Sequence, residues 1–184
     1  MVRTIGMVEL TSVGIGCLVE DTMLKAGAVE LVLARTICSG KYIVLVSGDV
    51  SAVEAAVQAG AAASQEGLID QLVIPSVHES VFPAIGGSVT VSPEDMGALG
   101  VIETYSAAST IEAADAAAKA ASVILFRIHL AMALGGKGFV QMTGSVADVT
   151  AAVAAGAAVA RERGLLVSQV VIPRPQRELF SDYI

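Results

Sequence analysis

Cys38 stands in "RTICSGKYIVLV" (35–46), between two β-branched runs and just ahead of a Gly-Lys pair, and is one of only two cysteines in 184 residues. A free cysteine is most often a small buried hydrophobe, but a thiol at a bend also has a setting for chemistry: Gly40 permits a tight turn, turn amides can point at a thiolate, and a lysine such as Lys41 favours the thiolate when its ammonium lies close. Cys17, near the start of an apolar helix, reads instead as a small buried hydrophobe. The spacing of the two matches no CxxC metal pattern, and a structural disulfide is not expected in a reducing compartment. Glu9 and Glu103 are paired carboxylates of the kind used for general acid/base work, but they fall at equivalent positions of two similar strands, which points to a structural role. His78 and His129 have no Asp, Ser or Cys partner at a recognisable spacing, so they read as surface or interface residues and support no triad. "GGKG" (135–138) lacks the leading Gly and the Ser or Thr after Lys of a phosphate loop.

Composition narrows the classes. Hydrophobic residues make up 54% of the chain and charged ones 16%, with no Trp and 4% aromatics, so the apolar content is mostly small and aliphatic. So little charge leaves extensive apolar surface, which a homo-oligomer covers. A net charge of −7 excludes a dense basic face for nucleic acid. Mean hydropathy is +0.72, yet charges or Gly interrupt the apolar stretches, and "VTAAVAAGAAVA" (149–160), bounded by Asp148 and Arg161, reads as a buried helix and not a membrane span. The N-terminus shows no secretory h-region, which implies a cytosolic chain.

These residues are positioned by a repeat. "IGMVELTS" (5–12) returns as "LGVIETYS" (99–106), keeping Gly6/Gly100, Glu9/Glu103 and Ser12/Ser106 at an offset of 94. "DTMLKAGAVEL" (21–31) returns as "DAAAKAASVIL" (115–125) at the same offset, and "GKYIVLVSGDVSAVEAAVQAGA" (40–61) as "GKGFVQMTGSVADVTAAVAAGA" (136–157) at 96, two residues having been gained before the second turn. "LVIPSV" (72–77) answers "VVIPRP" (170–175) at 98. Four segments in one order make two copies of a domain, expected at 1–90 and 97–184 and joined around "GGSVTVSPEDMG" (86–97). Each copy predicts a strand (4–11, 98–105), a helix (16–27, 110–121), two strands meeting at the Gly-Lys turn (29–36 with 41–47, 123–131 with 137–143), an Ala-rich helix (50–64, 146–162) and a closing strand (68–75, 166–173). The order β-α-β-β-α-β implies an α+β fold of two tandem ferredoxin-like domains, helices covering one face of an antiparallel sheet. Cys38 then corresponds to Leu134.

"LGVIETYSAASTIEAADAAAKAASV", "GDVSAVEAAVQAG" and the closing "VIPRP" resemble the bacterial microcompartment shell (BMC) domain, and two copies resemble the tandem, trimer-forming members. Because each copy begins with its G-x-x-E strand, the resemblance is to unpermuted members. "ELTSVGIGCLVEDTMLKAGAVELVLARTICSGKY" is most similar to the iron–sulfur members of propanediol-utilisation compartments, which carry Pro where this sequence has Ser39. The resemblance implies a non-enzymatic tile: a homotrimer forming a pseudohexameric disc, packed among other microcompartment shell proteins. It implies tile-edge roles for Lys25, Lys119 and Arg174, the last replaced by Ser76 in the first copy, and a central opening lined by Cys38, Ser39, Gly40, Leu134, Gly135 and Gly136. It further implies one 4Fe-4S cluster per trimer held by three Cys38 thiolates, with electron transfer or cluster delivery across the shell and encapsulated or cytosolic redox proteins as partners. One alternative keeps the tile and leaves an open metabolite pore with no cluster; another, of a different class, is a trimeric ferredoxin-like regulator or enzyme binding a small molecule.

Overall fold

The near-continuous apolar run of "RTIGMVEL" builds β1 (Arg3–Leu10), buried from Thr4 to Leu10, and Ser12 then starts a helix. Its backbone is extended (φ −150°, ψ 156°) and its Oγ accepts the N–H of Ile15 at 3.4 Å, so α1 begins at Val13 and runs to Ala26. The computed structural model describes residues 3–180. After α1 follow β2 (Glu30–Ile37), β3 (Lys41–Gly48), α2 (Val50–Ala63) and β4 (Leu68–Val77). A short helix α3 (Val81–Ile85) precedes the second copy: β5 (Ala98–Thr104), α4 (Ala107–Ala120), β6 (Ile124–His129), β7 (Gly138–Gly144), α5 (Val146–Glu162) and β8 (Leu166–Ile172).

The chain divides into two compact units, 1–77 and 78–184. Each holds one four-stranded antiparallel sheet, in the order β2-β3-β1-β4 and β6-β7-β5-β8. These are two ferredoxin-like β-α-β-β-α-β units, and their registers coincide. Thr4 pairs with Gly48 as Ala98 pairs with Gly144, and the β1/β4 bulge between Glu9 and Leu10 recurs between Glu103 and Thr104. A repeated bulge at one position is a built feature of the fold.

In the first unit Val8, Leu10, Val44 and Val46 meet Val19 and Met23 of α1 and Val53 of α2 in a core where all of them are inaccessible to solvent. Each such side chain contributes about 1.5–3 kcal/mol relative to exposure. In the second unit the helix positions are smaller, Ala113 and Ala117 for Val19 and Met23, while two sheet positions are larger, Ile102 and Met142 for Val8 and Val46. Its α5 approaches α4 so closely that a Cβ on Gly156 would collide with the carbonyl of Ala113.

Three differences from expectation stand out, at the helix starts, at the end of β6 and in the segment after β4. α1 and α4 start three residues earlier than 16 and 110, because Ser12 and Ser106 cap them; Ser106 Oγ accepts the N–H of Ser109 at 3.1 Å. β6 stops at His129 and not at 131, since Ala131 and Ala133 take left-handed φ of 52° and 57°, which no strand accommodates. The third is α3. Val81 and Ala84 are buried, α3 lies against β6 and α4, and the N–H of His78 donates to Asp115 Oδ1 at 2.8 Å.

Candidate functional site: the two hairpin turns

The β2–β3 hairpin closes through a single 3₁₀ turn, Cys38–Gly40, in which Ser39 (φ 64°) and Gly40 (φ 72°) are both left-handed. Two such residues in series turn the chain within three positions; glycine adopts this region without strain, and serine does so at a cost the hairpin must sustain. Cys38 is half-buried, Ser39 and Gly40 exposed. The β6–β7 connection is longer and bends through Ala131, Ala133, Gly135 (φ 63°) and Gly136 (φ 89°), with the N–H of Lys137 donating to the carbonyl of Leu134 at 3.3 Å. His129 anchors its start, stacking on Phe139 at 5.0 Å with Nε2 2.7 Å from the carbonyl of Met132.

Each turn is tied to the first strand of its sheet. Lys41 Nζ donates to Glu9 Oε1 at 2.9 Å, and Lys137 Nζ to Glu103 Oε1 at 2.6 Å. Residues 32 and 34 positions apart thus meet because β3 and β7 return alongside β1 and β5. The copies differ at the second carboxylate oxygen. Glu103 Oε2 accepts Ser168 Oγ at 3.1 Å, whereas Glu9 Oε2 is buried with no hydrogen-bond partner, and the residue paired with Glu9 across β4 is Asp70 where Glu103 faces Ser168. The ammonium of Lys41 is therefore engaged by a buried carboxylate.

The structure does not support the expected 4Fe-4S cluster held by Cys38. Among the described residues no group of three or more His, Cys, Asp or Glu is placed to hold a metal ion. The turn brings a single thiol, Cys17 lies elsewhere on α1, and the nearby Glu9 carboxylate is taken up by Lys41. Iron–sulfur chemistry, metal binding and electron transfer fall with it, as does any ground for redox partners. Cys17 differs too. It is exposed, because Gly16, Val19 and Met23 form the buried side of α1 and turn it outward.

Gly16 packs on the ring of Tyr42, whose hydroxyl donates to Glu20 Oε2 at 3.0 Å. Burial, then that carboxylate, pushes the Tyr42 phenol up to about 12. His78 gains a partner that spacing did not suggest, Ser80 Oγ at 2.8 Å from its Nδ1; Asp115 touches its backbone N–H and not its ring, so no triad is formed.

The expected edge residues occupy helix and loop surfaces. Lys25 bonds Asp21 and Lys119 bonds Asp115, each at 2.6 Å across one helical turn, but the environments differ: side-chain exposure is 74% and 58% for the first pair, 43% and 10% for the second. Arg174 is exposed after β8. Leu134 borders a cavity of about 240 Å³ with Val101, Glu103, Phe139 and Gln141. Among the described residues no helix is long and apolar enough to cross a membrane.

A model of the BMC domain matches residues 4–77 and again 98–175. The chain is 42% identical over 184 residues to the bacterial microcompartment shell protein PduT of Citrobacter freundii, spanning all of this chain and 99% of that one. It is 46% identical over 84 residues to the bacterial microcompartment shell protein EutM of Salmonella typhimurium, a match covering 46% of this chain and 85% of that one. A crystal structure of a microcompartment protein from Desulfitobacterium hafniense superposes with a TM-score of 0.92 at 46% identity, over 97% of this chain and 98% of that one. With both sheets built alike, in matching register, and each matched in turn by the same domain, the chain belongs to the BMC-domain family as a tandem member.

Proposed function

We propose that the chain is a non-catalytic facet tile of a bacterial microcompartment shell, built on its BMC domains at 4–77 and 98–175. Three copies form a homotrimeric disc of six domains, with an open central pore lined by Cys38, Ser39, Gly40, Leu134, Gly135 and Gly136. Lys25, Lys119 and Arg174 lie on its outer edge against other shell proteins. The observation that carries this reading is the repeat itself: two BMC domains in one chain, of the same length as a relative named as a shell protein. Six near-equivalent wedges from three subunits close a ring and leave no partner sites over, whereas one domain per chain needs six subunits. The turn residues suit a passage for small polar metabolites, offering a thiol, a hydroxyl, backbone and one apolar side chain, and no fixed charge.

The test is assembly. Light scattering is expected to give a trimer mass, and Lys25→Ala with Lys119→Ala is expected to keep that trimer while reducing its incorporation into sheets with a single-domain shell protein several-fold. Lys25 carries little stability, since an exposed i, i+4 pair contributes about 0.3–0.5 kcal/mol, whereas Lys119 faces the largely buried Asp115, which also holds the N–H of His78, so its loss costs more without touching the subunit contact. A monomer at working concentration sinks the proposal, and loss of the trimer in the double variant sinks the edge placement.

A further inference from the structure

Two surfaces of the chain are left open where their repeat counterparts are closed. α4 is buried along nearly its whole length, and α3 lies against it. Its counterpart α1 exposes Val13, Leu18 and Leu24 on one face together with Cys17 and Asp21. Conversely, the segment that covers α4, "HESVF" (78–82), has a counterpart at an offset of 98, "QRELF" (176–180). In that alignment buried Val81 (0% exposed) answers to Leu179, which stands 46% exposed in a 3₁₀ turn (Arg177–Phe180). Phe180 is held against Phe126, ring centroids 5.6 Å apart, so the turn is anchored and offers Leu179 outward. A helix face without its cover and a cover without its helix are complementary orphans.

We propose that the open face of α1 receives the segment after β8 of a second copy of this chain, with Leu179 placed on α1 as Val81 is on α4. The polar part of the contact is specified as well. Asp115 uses Oδ2 for Lys119 and Oδ1 for the N–H of His78; Asp21 bonds Lys25 in the same way, and the counterpart of His78 is Gln176. The N–H of Gln176 from the second copy therefore meets Asp21. Because the donor and acceptor patches differ, the contact is head-to-tail, and such contacts close only as a ring. This assigns the contact that joins neighbouring subunits and rests on the trimer proposed above.

The experiment is a cross-link in the full chain, in a Cys17→Ser, Cys38→Ser background. Asp21→Cys combined with Gln176→Cys is expected to yield covalent dimers and trimers on a denaturing gel after mild oxidation, and either substitution alone none. Both positions are exposed, so the fold tolerates them. No intermolecular product from a protein that light scattering shows to be trimeric overturns this contact and leaves the tile reading standing; a monomeric starting protein overturns both. Leu179→Asp supplies an independent reading, expected to raise the protein concentration at half-dissociation about tenfold or more. An unchanged midpoint overturns the proposal.

Discussion

The carboxylate of Glu9 shows how one substitution between repeats changes the energetics of a pair. Its side chain is 4% exposed, and Lys41 is the partner that compensates its charge, while Glu103 is 25% exposed and keeps Ser168 as a second donor. Removing Lys41 strands a buried charge; removing Lys137 does not. Lys41→Ala is therefore expected to lose about 3 kcal/mol in urea denaturation, and Lys137→Ala about 1 kcal/mol. Adding Glu9→Gln should recover much of the first loss. Tyr42 makes a pH-dependent contribution with a definite sign. Its phenol, ordinarily near 10.0, is pushed up to about 12 by burial and then by Glu20, so above pH 10 an unfolded chain sheds a proton that the folded chain retains. The stabilisation is whole below pH 10 and is lost as pH rises towards 12. Chemical denaturation across that window should show a falling slope in the wild type that Tyr42→Phe flattens.

At the scale of elements, order and type were legible in the sequence because they depend on near neighbours. Ser12 and Ser106 recur in the repeat, yet their role as helix caps depends on the extended backbone that brings each Oγ onto an N–H three residues on. Helix-to-helix distance was not legible at all. Gly156 lets α5 rest on the backbone of α4 at Ala113, and since a carbonyl cannot swing aside, a methyl there must push two helices apart. Ala at this position gains about 1 kcal/mol of helix propensity. The collision costs more, and Gly156→Ala is expected to destabilise the second unit by about 1–2 kcal/mol net, seen as a lower thermal midpoint. Another exchange runs between elements: in the first copy Gly16 of α1 accommodates Tyr42 of β3, and in the second Thr110 of α4 occupies the space that Gly138 of β7 leaves. Small and large have changed sides at corresponding positions.

For the whole molecule, apolar surface and not charge is expected to hold the subunits together, as the 16% charged fraction already implied. The trimer should accordingly persist at about 1 M salt, where the Debye length falls to about 3 Å, with an unchanged mass in light scattering. Dissociation under those conditions would assign the contact to ion pairs instead. Repetition, the β-α-β-β-α-β order, an α+β class and the family were determined by the sequence alone, because each is written in patterns spanning a few residues and copied once along the chain. The tertiary structure alone decided that Cys17 faces outward, that β6 ends in left-handed alanines, that Lys41 and Lys137 are claimed by Glu9 and Glu103, and that no set of metal ligands assembles among the described residues. Those outcomes depend on helix rotation and strand register, which bring residues some thirty positions apart into contact, and no local pattern encodes which side of a helix the opposing sheet will meet.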